Sequence, residues 1–228
     1  MIFASALVPH PPLLLRELGG VQDAVADLRV AVEEAVRAVT REAEQVVVVG
    51  PAASARTWQV DHGAAVRGFG TTDRRPRGPA LPLSLGVGRR VLADAGWTGP
   101  VELASTTPRP TPEEVAVLAA RLDDRSAATA LVLLGDGSAR RGETAPGHLD
   151  ERAFPFDDGL AAALDAGDAG FLAGLDAALA EELMVTASPV LRLLAAVALR
   201  RQAAPEASLT YRGDPFGVSY LVATWFLG

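Results

Sequence analysis

The chain has 228 residues, of which 49% are hydrophobic and 21% charged, which is typical of one globular domain over residues 1–228 and not of a disordered chain. The formal net charge of −7 provides no basic field for a phosphate backbone, so we expect no nucleic-acid partner. The sequence contains no cysteine and no lysine, which excludes disulfides, thiolate metal sites, cysteine nucleophiles and Schiff-base lysine chemistry.

The first fifty residues predict a β–α–β unit. Residues 2–8 (IFASALV) are predicted to form a buried strand that ends at Pro9, and Gln45–Val49 a second buried strand that ends at Gly50. Between them, apolar residues recur at helical spacing over residues 21–42. Continuous apolar strands joined by a helix are typical of a parallel sheet that is covered on both faces.

The middle of the chain predicts a long surface excursion over residues 51–80, with a short strand near residues 64–67. The pattern then predicts a helix over residues 83–95 and a strand over residues 101–105. Another helix is predicted to begin after Thr111, a typical N-cap followed by a proline and two acids.

The remaining sequence predicts a fourth strand over residues 128–134, followed by a mostly helical region and a final pair of strands. The helices are predicted over residues 156–166, 169–183 and 188–202, and the last strands lie around Tyr211 and over residues 218–225. This alternation predicts an α/β fold: a single three-layer α/β/α domain with a mostly parallel central sheet.

No membrane or targeting segment is predicted. No run approaches the ~18 uninterrupted apolar residues of a membrane helix, and the first residues lack the basic start of a signal peptide. We therefore expect a cytoplasmic protein with no membrane partner.

Two loops directly follow predicted buried strands, where ligands bind in open α/β sheets. His10 follows the first strand between prolines, and the segment GDGSARRGE at residues 135–143 follows the fourth strand. His10 and Asp136 are the catalytic candidates, and two nearby arginines suit a carboxylate. The candidate binding residues of this segment are Ser138, Arg140, Arg141 and Glu143. The alternative is that His10 only terminates a strand and that residues 135–143 form a solvated turn.

The other two histidines lie in predicted loops. His62 follows Asp61, an acid that would orient the imidazole of a metal ligand. His148 lies just after residues 135–143 and is a candidate pocket residue. The alternative for both, which we favour, is a plain surface histidine, because loop residues are mostly exposed.

These motifs resemble those of the class III extradiol ring-cleavage dioxygenases, more closely the B-subunit-like proteins of the actinobacterial type and more distantly the MEMO-like proteins. The resemblance covers nearly the whole chain. Its residues are VPHPP at 8–12, VVVVGP at 46–51, GDGSARRGETAPGHLDERAFPFDDGLAAALDAGD at 135–168 and DPFGVSYLVATW at 214–225. It implies an α/β/α domain that holds Fe(II) with two histidines and a carboxylate and cleaves a catechol-type ring with O₂. A further histidine acts as the acid–base catalyst.

Residue by residue, the resemblance identifies His10 as the first iron ligand. The second ligand, a histidine, is expected just after the second strand, where residues 50–54 read GPAAS. The acid–base histidine is expected at Ala139. The third ligand, a glutamate or, in the MEMO-like proteins, a cysteine, is expected near the start of a late helix. Residues 186–189 read TASP there, and two glutamates lie earlier at 181–182.

Three hypotheses about function follow. The first is a dioxygenase whose iron is held by His10, by His62 or His148, and by a carboxylate such as Asp136. The second is a non-catalytic relative that binds an aromatic or anionic small molecule or a partner, with a homo-oligomer left open. The third is a metal-independent enzyme built on residues 135–143. We rank kinship to the family first and expect that iron binding and ring cleavage have been lost.

Overall fold

The computed structural model describes residues 1–18, 23–59 and 80–228. The strands in these ranges are β1 (Ile2–Val8), β2 (Gln45–Pro51), β3 (Arg56–Trp58), β4 (Val101–Thr106), β5 (Thr129–Leu134), β6 (Glu206–Gly213) and β7 (Tyr220–Phe226). The α-helices are α1 (Ala26–Thr40), α2 (Leu83–Asp94), α3 (Pro112–Asp123), α4 (Ala153–Ala166), α5 (Ala169–Ala173), α6 (Ala177–Glu182) and α7 (Ser188–Ala198). Two single-turn 3₁₀ helices, Pro12–Leu14 and Arg16–Leu18, follow β1.

The strands form one seven-stranded sheet in the order β3-β4-β2-β5-β1-β7-β6. Its four central strands, β4, β2, β5 and β1, pair in parallel. The flanking strands β3, β7 and β6 pair antiparallel. The predicted α/β class with a mostly parallel sheet is therefore confirmed. Val8 lies opposite Leu134, so β1 and β5 end side by side.

The sheet is the middle of three layers, because alternate strand residues face opposite sides. Leu131 and Leu133 of β5 pack in the cluster that includes α3 to α7, whereas Val132 and Leu134 pack in the cluster that includes α1 and α2. All six residues of β5 are buried, which explains why every residue after Thr129 is apolar. Among the described helices, none is long and apolar enough to cross a membrane.

The structure differs from the predicted elements in several places; for example, the helix predicted over residues 188–202 ends at Ala198, and the helix predicted over residues 156–166 begins at Ala153. The helix predicted over residues 169–183 is two short helices, because Asp176 caps a new start by accepting hydrogen bonds from the N–H groups of Ala178 and Leu179. The three-residue edge strand β3 was not predicted. Within the described part of the helix predicted over residues 21–42, residues 23–25 are not helical and α1 spans Ala26–Thr40. The strand predicted at 64–67 lies outside the described residues.

Candidate functional site

A cavity of about 490 Å³ lies at the carboxyl ends of the parallel strands. His10 follows β1, Pro51 ends β2, Arg109 follows β4 and Asp136 follows β5, and all four residues line it. The remaining wall comes from the proline segment after His10, from α2, α6, α7 and β7, and from the segment between α6 and α7. Its residues include Pro11, Leu83, Ala180, Met184, Ser188 and Tyr220. The predicted meeting of His10 and Asp136 at one edge of the sheet is confirmed.

His10 and Asp136 form the polar floor of this cavity. The backbone N–H of His10 donates a hydrogen bond to Asp136 Oδ1 at 2.9 Å. The His10 Nδ1 atom lies 3.5 Å from the same oxygen, within ion-pair range, but it makes no hydrogen bond to any described residue. His10 is only 9% exposed. Because buried polar atoms are nearly always hydrogen-bonded, this imidazole is available to a ligand.

Asp136 is held in place by the segment that precedes α7. Its backbone N–H donates to Thr186 Oγ1 at 2.9 Å, and its carbonyl accepts from the N–H of Ala187 at 2.9 Å. Gly135 makes this close approach possible, because a Cβ atom there would collide with the backbone of Ala187. The end of β5 is therefore fixed against the start of α7.

Tyr220 of β7 adds a second polar group to the wall. Burial raises the pKa of its hydroxyl, and the negative charge of Asp136 raises it further. Tyr220 is therefore neutral at physiological pH. In this form the hydroxyl can donate a hydrogen bond as well as accept one.

The rim of the cavity carries a charged pair, and a strained residue, Met184, lies in its wall beside a second strained residue, His148, that does not line the cavity. Arg109 and Glu181 form an ion pair, with Nη1 3.0 Å from Oε2. His148 and Met184 have φ angles of 57° and 58°, an unfavourable conformation for residues other than glycine. The missing Cβ of Gly147 leaves room for the sulfur of Met184, so these two strained segments touch.

The predicted binding residues after Asp136 do not line the cavity. Ser138 is fully buried, with its hydroxyl donating to the carbonyl of Leu183 at 2.9 Å and its N–H donating to Asp157 Oδ1 at 3.0 Å. Glu143 and His148 are exposed, and neither lines the cavity. Through its two hydrogen bonds, Ser138 connects the loop after β5 to α4 and to Leu183.

Arg140 and Arg141 do not line the His10 cavity either. Arg141 contacts Asp157 Oδ2 at 3.4 Å and Asp214 Oδ2 at 2.8 Å, and its guanidinium stacks over the ring of Phe154. Burial raises the pKa of Asp157, while the hydrogen bond from Ser138 and the charge of Arg141 oppose that rise. Arg141 faces inward because this buried carboxylate requires a cation.

Sequence reasoning missed Arg109, Glu181 as its partner, and Tyr220. Arg109 carried a usable signal, since it follows a strand and stands between Pro108 and Pro110, as His10 stands between Pro9 and Pro11. The role of Glu181 depends on the break between α5 and α6, which the apolar pattern did not indicate.

The described residues do not fit the iron site that the family resemblance implies. Within residues 1–18, 23–59 and 80–228, no three His, Asp or Glu side chains are grouped so that they could hold a metal ion. Pro51 and Ala139 line the cavity where the resemblance expects histidines. His62, the other candidate metal ligand, lies outside the described residues.

Comparison with known proteins supports the fold and names no function. No family model matches the chain, and no curated protein matches it. The crystal structure of "uncharacterized protein JW3007" from Escherichia coli K12 is similar, with a TM-score of 0.56 and 15% sequence identity. The match covers 97% of this chain and 99% of that one. At this identity the likeness shows a shared fold.

Proposed function

We propose that the protein is a diverged relative of the class III extradiol dioxygenases that binds a compact hydroxylated aromatic molecule in the strand-end cavity. The observation that carries this proposal is the His10 imidazole, buried beside Asp136 with its Nδ1 unpaired among the described groups. The cavity of about 490 Å³ lies within the roughly 300–1,000 Å³ of small-molecule sites.

The wall chemistry suits a phenol. Proline and alanine side chains from several elements, with Leu83 and Val218, offer flat apolar surface to an aromatic ring. At the floor, Asp136 accepts a hydrogen bond from a phenolic hydroxyl, and the His10 imidazole offers a second polar contact. Tyr220 is neutral and donates to an oxygen of the ligand. Because these groups are shielded from water, a ligand that leaves them unpaired binds poorly.

Ring cleavage is the second candidate function. It is favoured by one observation, the position of His10 where the resemblance places the first iron ligand. Fe(II) would bring a catechol and O₂ together, but the described residues do not supply the donor set. Binding without ring opening is therefore the function that this geometry supports better.

Isothermal titration calorimetry with phenol and catechol tests the proposal on the full chain, purified without chelator. We expect saturable binding of both, and a loss of about tenfold in affinity in His10→Ala. His148→Ala is the matched control, because His148 is exposed and does not line the cavity. Absence of saturable binding, or equal losses in both variants, contradicts the proposal.

Elemental analysis and oxygen uptake separate the two candidate functions. For the binding protein, we expect much less than one iron per chain and no catechol-dependent consumption of O₂. Stoichiometric iron that disappears in His10→Ala, together with catechol-dependent O₂ uptake, would establish ring cleavage instead.

A further inference from the structure

One permanently charged cation lies in the described cavity wall, and it stands at the rim. Arg109 pairs there with Glu181, and the two side chains are 69% and 54% exposed. An ion pair in such contact with water contributes little to stability, because solvent screens it. A competing anion can therefore replace Glu181 as the partner of Arg109 at little cost in free energy.

Arg109 and Glu181 both lie on segments with a restricted backbone. Pro108 and Pro110 restrict the backbone on both sides of Arg109, which follows the end of β4. Glu181 lies in α6, whose first turn is capped by Asp176. An anion that replaces the Glu181 carboxylate meets a guanidinium already located at the cavity mouth. Arginine suits this role, since its planar donors match the two oxygens of a carboxylate.

The charges within the cavity favour one orientation of such a ligand. Asp136 lies on the floor and repels a second carboxylate, whereas it accepts a hydrogen bond from a hydroxyl group. The two arginines nearest to Asp136 in the sequence do not line the cavity, and Arg141 is engaged with Asp157 and Asp214. Arg109 is therefore the group placed to bind an anionic substituent.

We propose that Arg109 selects hydroxylated aromatic acids by binding their carboxylate, and that Glu181 holds the guanidinium while the cavity is empty. This inference rests on the proposed function, because the aromatic body and the hydroxyl occupy the cavity described above. The ligand enters with its hydroxyl toward His10 and Asp136 and its carboxylate at the rim.

Calorimetry with two matched pairs of probes tests the inference. The acids are 3-hydroxybenzoate and 3-(3-hydroxyphenyl)propanoate, and the corresponding neutral amides are the controls. We expect each acid to bind up to about fivefold more tightly than its amide, the range of a partly exposed ion pair. Arg109→Gln should abolish this preference, because it weakens binding of the acid much more than binding of the amide. Arg212→Gln is the matched control, since Arg212 is an exposed arginine paired with Asp158 and does not line this cavity.

Glu181→Gln provides a second arm of the test. Removing the competing carboxylate should strengthen binding of the acid by about threefold, and Glu182→Gln, whose partner is Arg152, should not change it. Equal affinity for acid and amide, or a preference that survives in Arg109→Gln, overturns the inference and leaves the proposed function standing. If neither acid nor amide binds, the proposed function itself fails and the inference fails with it.

Discussion

The loop after β5 separates two groups of buried polar side chains: Asp157 with its partners on the inner side, and His10 beside Asp136 on the cavity side. On the inner side, Asp157 is fully buried and accepts hydrogen bonds from Ser138 and Arg141. On the cavity side, His10 is almost as deeply buried, yet its Nδ1 has no hydrogen-bond partner in the described part of the chain. Because an unpaired buried polar group is costly, the inner side stabilises the fold and the cavity side keeps capacity for a ligand.

The largest effect on stability is expected from Asp157→Ala. This substitution leaves the N–H of Ser138 and the guanidinium of Arg141 without their buried acceptor. We expect the free energy of unfolding to fall by about 3–5 kcal/mol, measured by chemical denaturation. Asp158→Ala is the matched control, because Asp158 is exposed and pairs only at the surface with Arg212, so a loss below about 1 kcal/mol is expected. Equal losses would remove the distinction between the two sides.

Gly135→Ala tests the close contact between the end of β5 and the segment before α7. The new methyl group would collide with the backbone of Ala187, and backbone yields less readily than a side chain. We expect a loss of about 2–3 kcal/mol from overpacking. The shift would also move Asp136. The affinity for phenol, measured by calorimetry, should therefore fall more in Gly135→Ala than in the control Asp158→Ala. Unchanged binding would mean that the clamp between β5 and α7 does not set the cavity floor.

The other end of the sheet supplies an independent example of a fully paired acid. Asp123 accepts hydrogen bonds from Arg201, Arg200 and the N–H of Ile2, and the bond from Arg201 is the main cause of a pKa well below the usual range of a carboxyl. Its folded-state pKa is below its unfolded value, so its stabilising effect is present above about pH 4 and is lost as the pH falls below that.

Asp123→Asn should therefore lower the free energy of unfolding by about 2 kcal/mol at pH 7. This difference from the unsubstituted protein should shrink as denaturation is repeated at pH values below about 4. Asp124→Asn is the control, because Asp124 is exposed and shares only Arg200. A difference that stays constant down to pH 2 would show that the charge of Asp123 is not what stabilises this end.

The elements that sequence predicted well depend on local signals. β1 and β5 are mostly apolar segments that end before Pro9 and Gly135. Helix α3 begins at the predicted cap, where Thr111 and Glu114 exchange hydrogen bonds. The neighbouring positions of His10 and Asp136 followed from parallel strands alone. These predictions needed no knowledge of residues distant in the chain.

The features that the sequence could not indicate depend on partners far away in the chain. The inward direction of Arg141 is determined by Asp157 and by Asp214, 73 residues away. Nothing near Arg141 in the sequence indicates that a buried carboxylate lies beside it. The anion-binding role that the sequence favoured for Arg140 and Arg141 moves, in our proposal, to Arg109, because folding leaves Arg109 at the cavity rim.

The smallest effect on stability is expected from His10→Ala. This variant directly tests the difference between the paired Asp157 and the unpaired His10. His10→Ala keeps the backbone hydrogen bond to Asp136 and removes an imidazole whose Nδ1 makes no hydrogen bond. The ring faces an existing cavity, so its removal enlarges that cavity and creates no new enclosed one. We expect the free energy of unfolding to change by about 1 kcal/mol or less, while affinity for phenol falls about tenfold. A loss of several kcal/mol would instead make His10 a structural residue that only terminates β1, since ligand-binding groups are retained for recognition and not for stability.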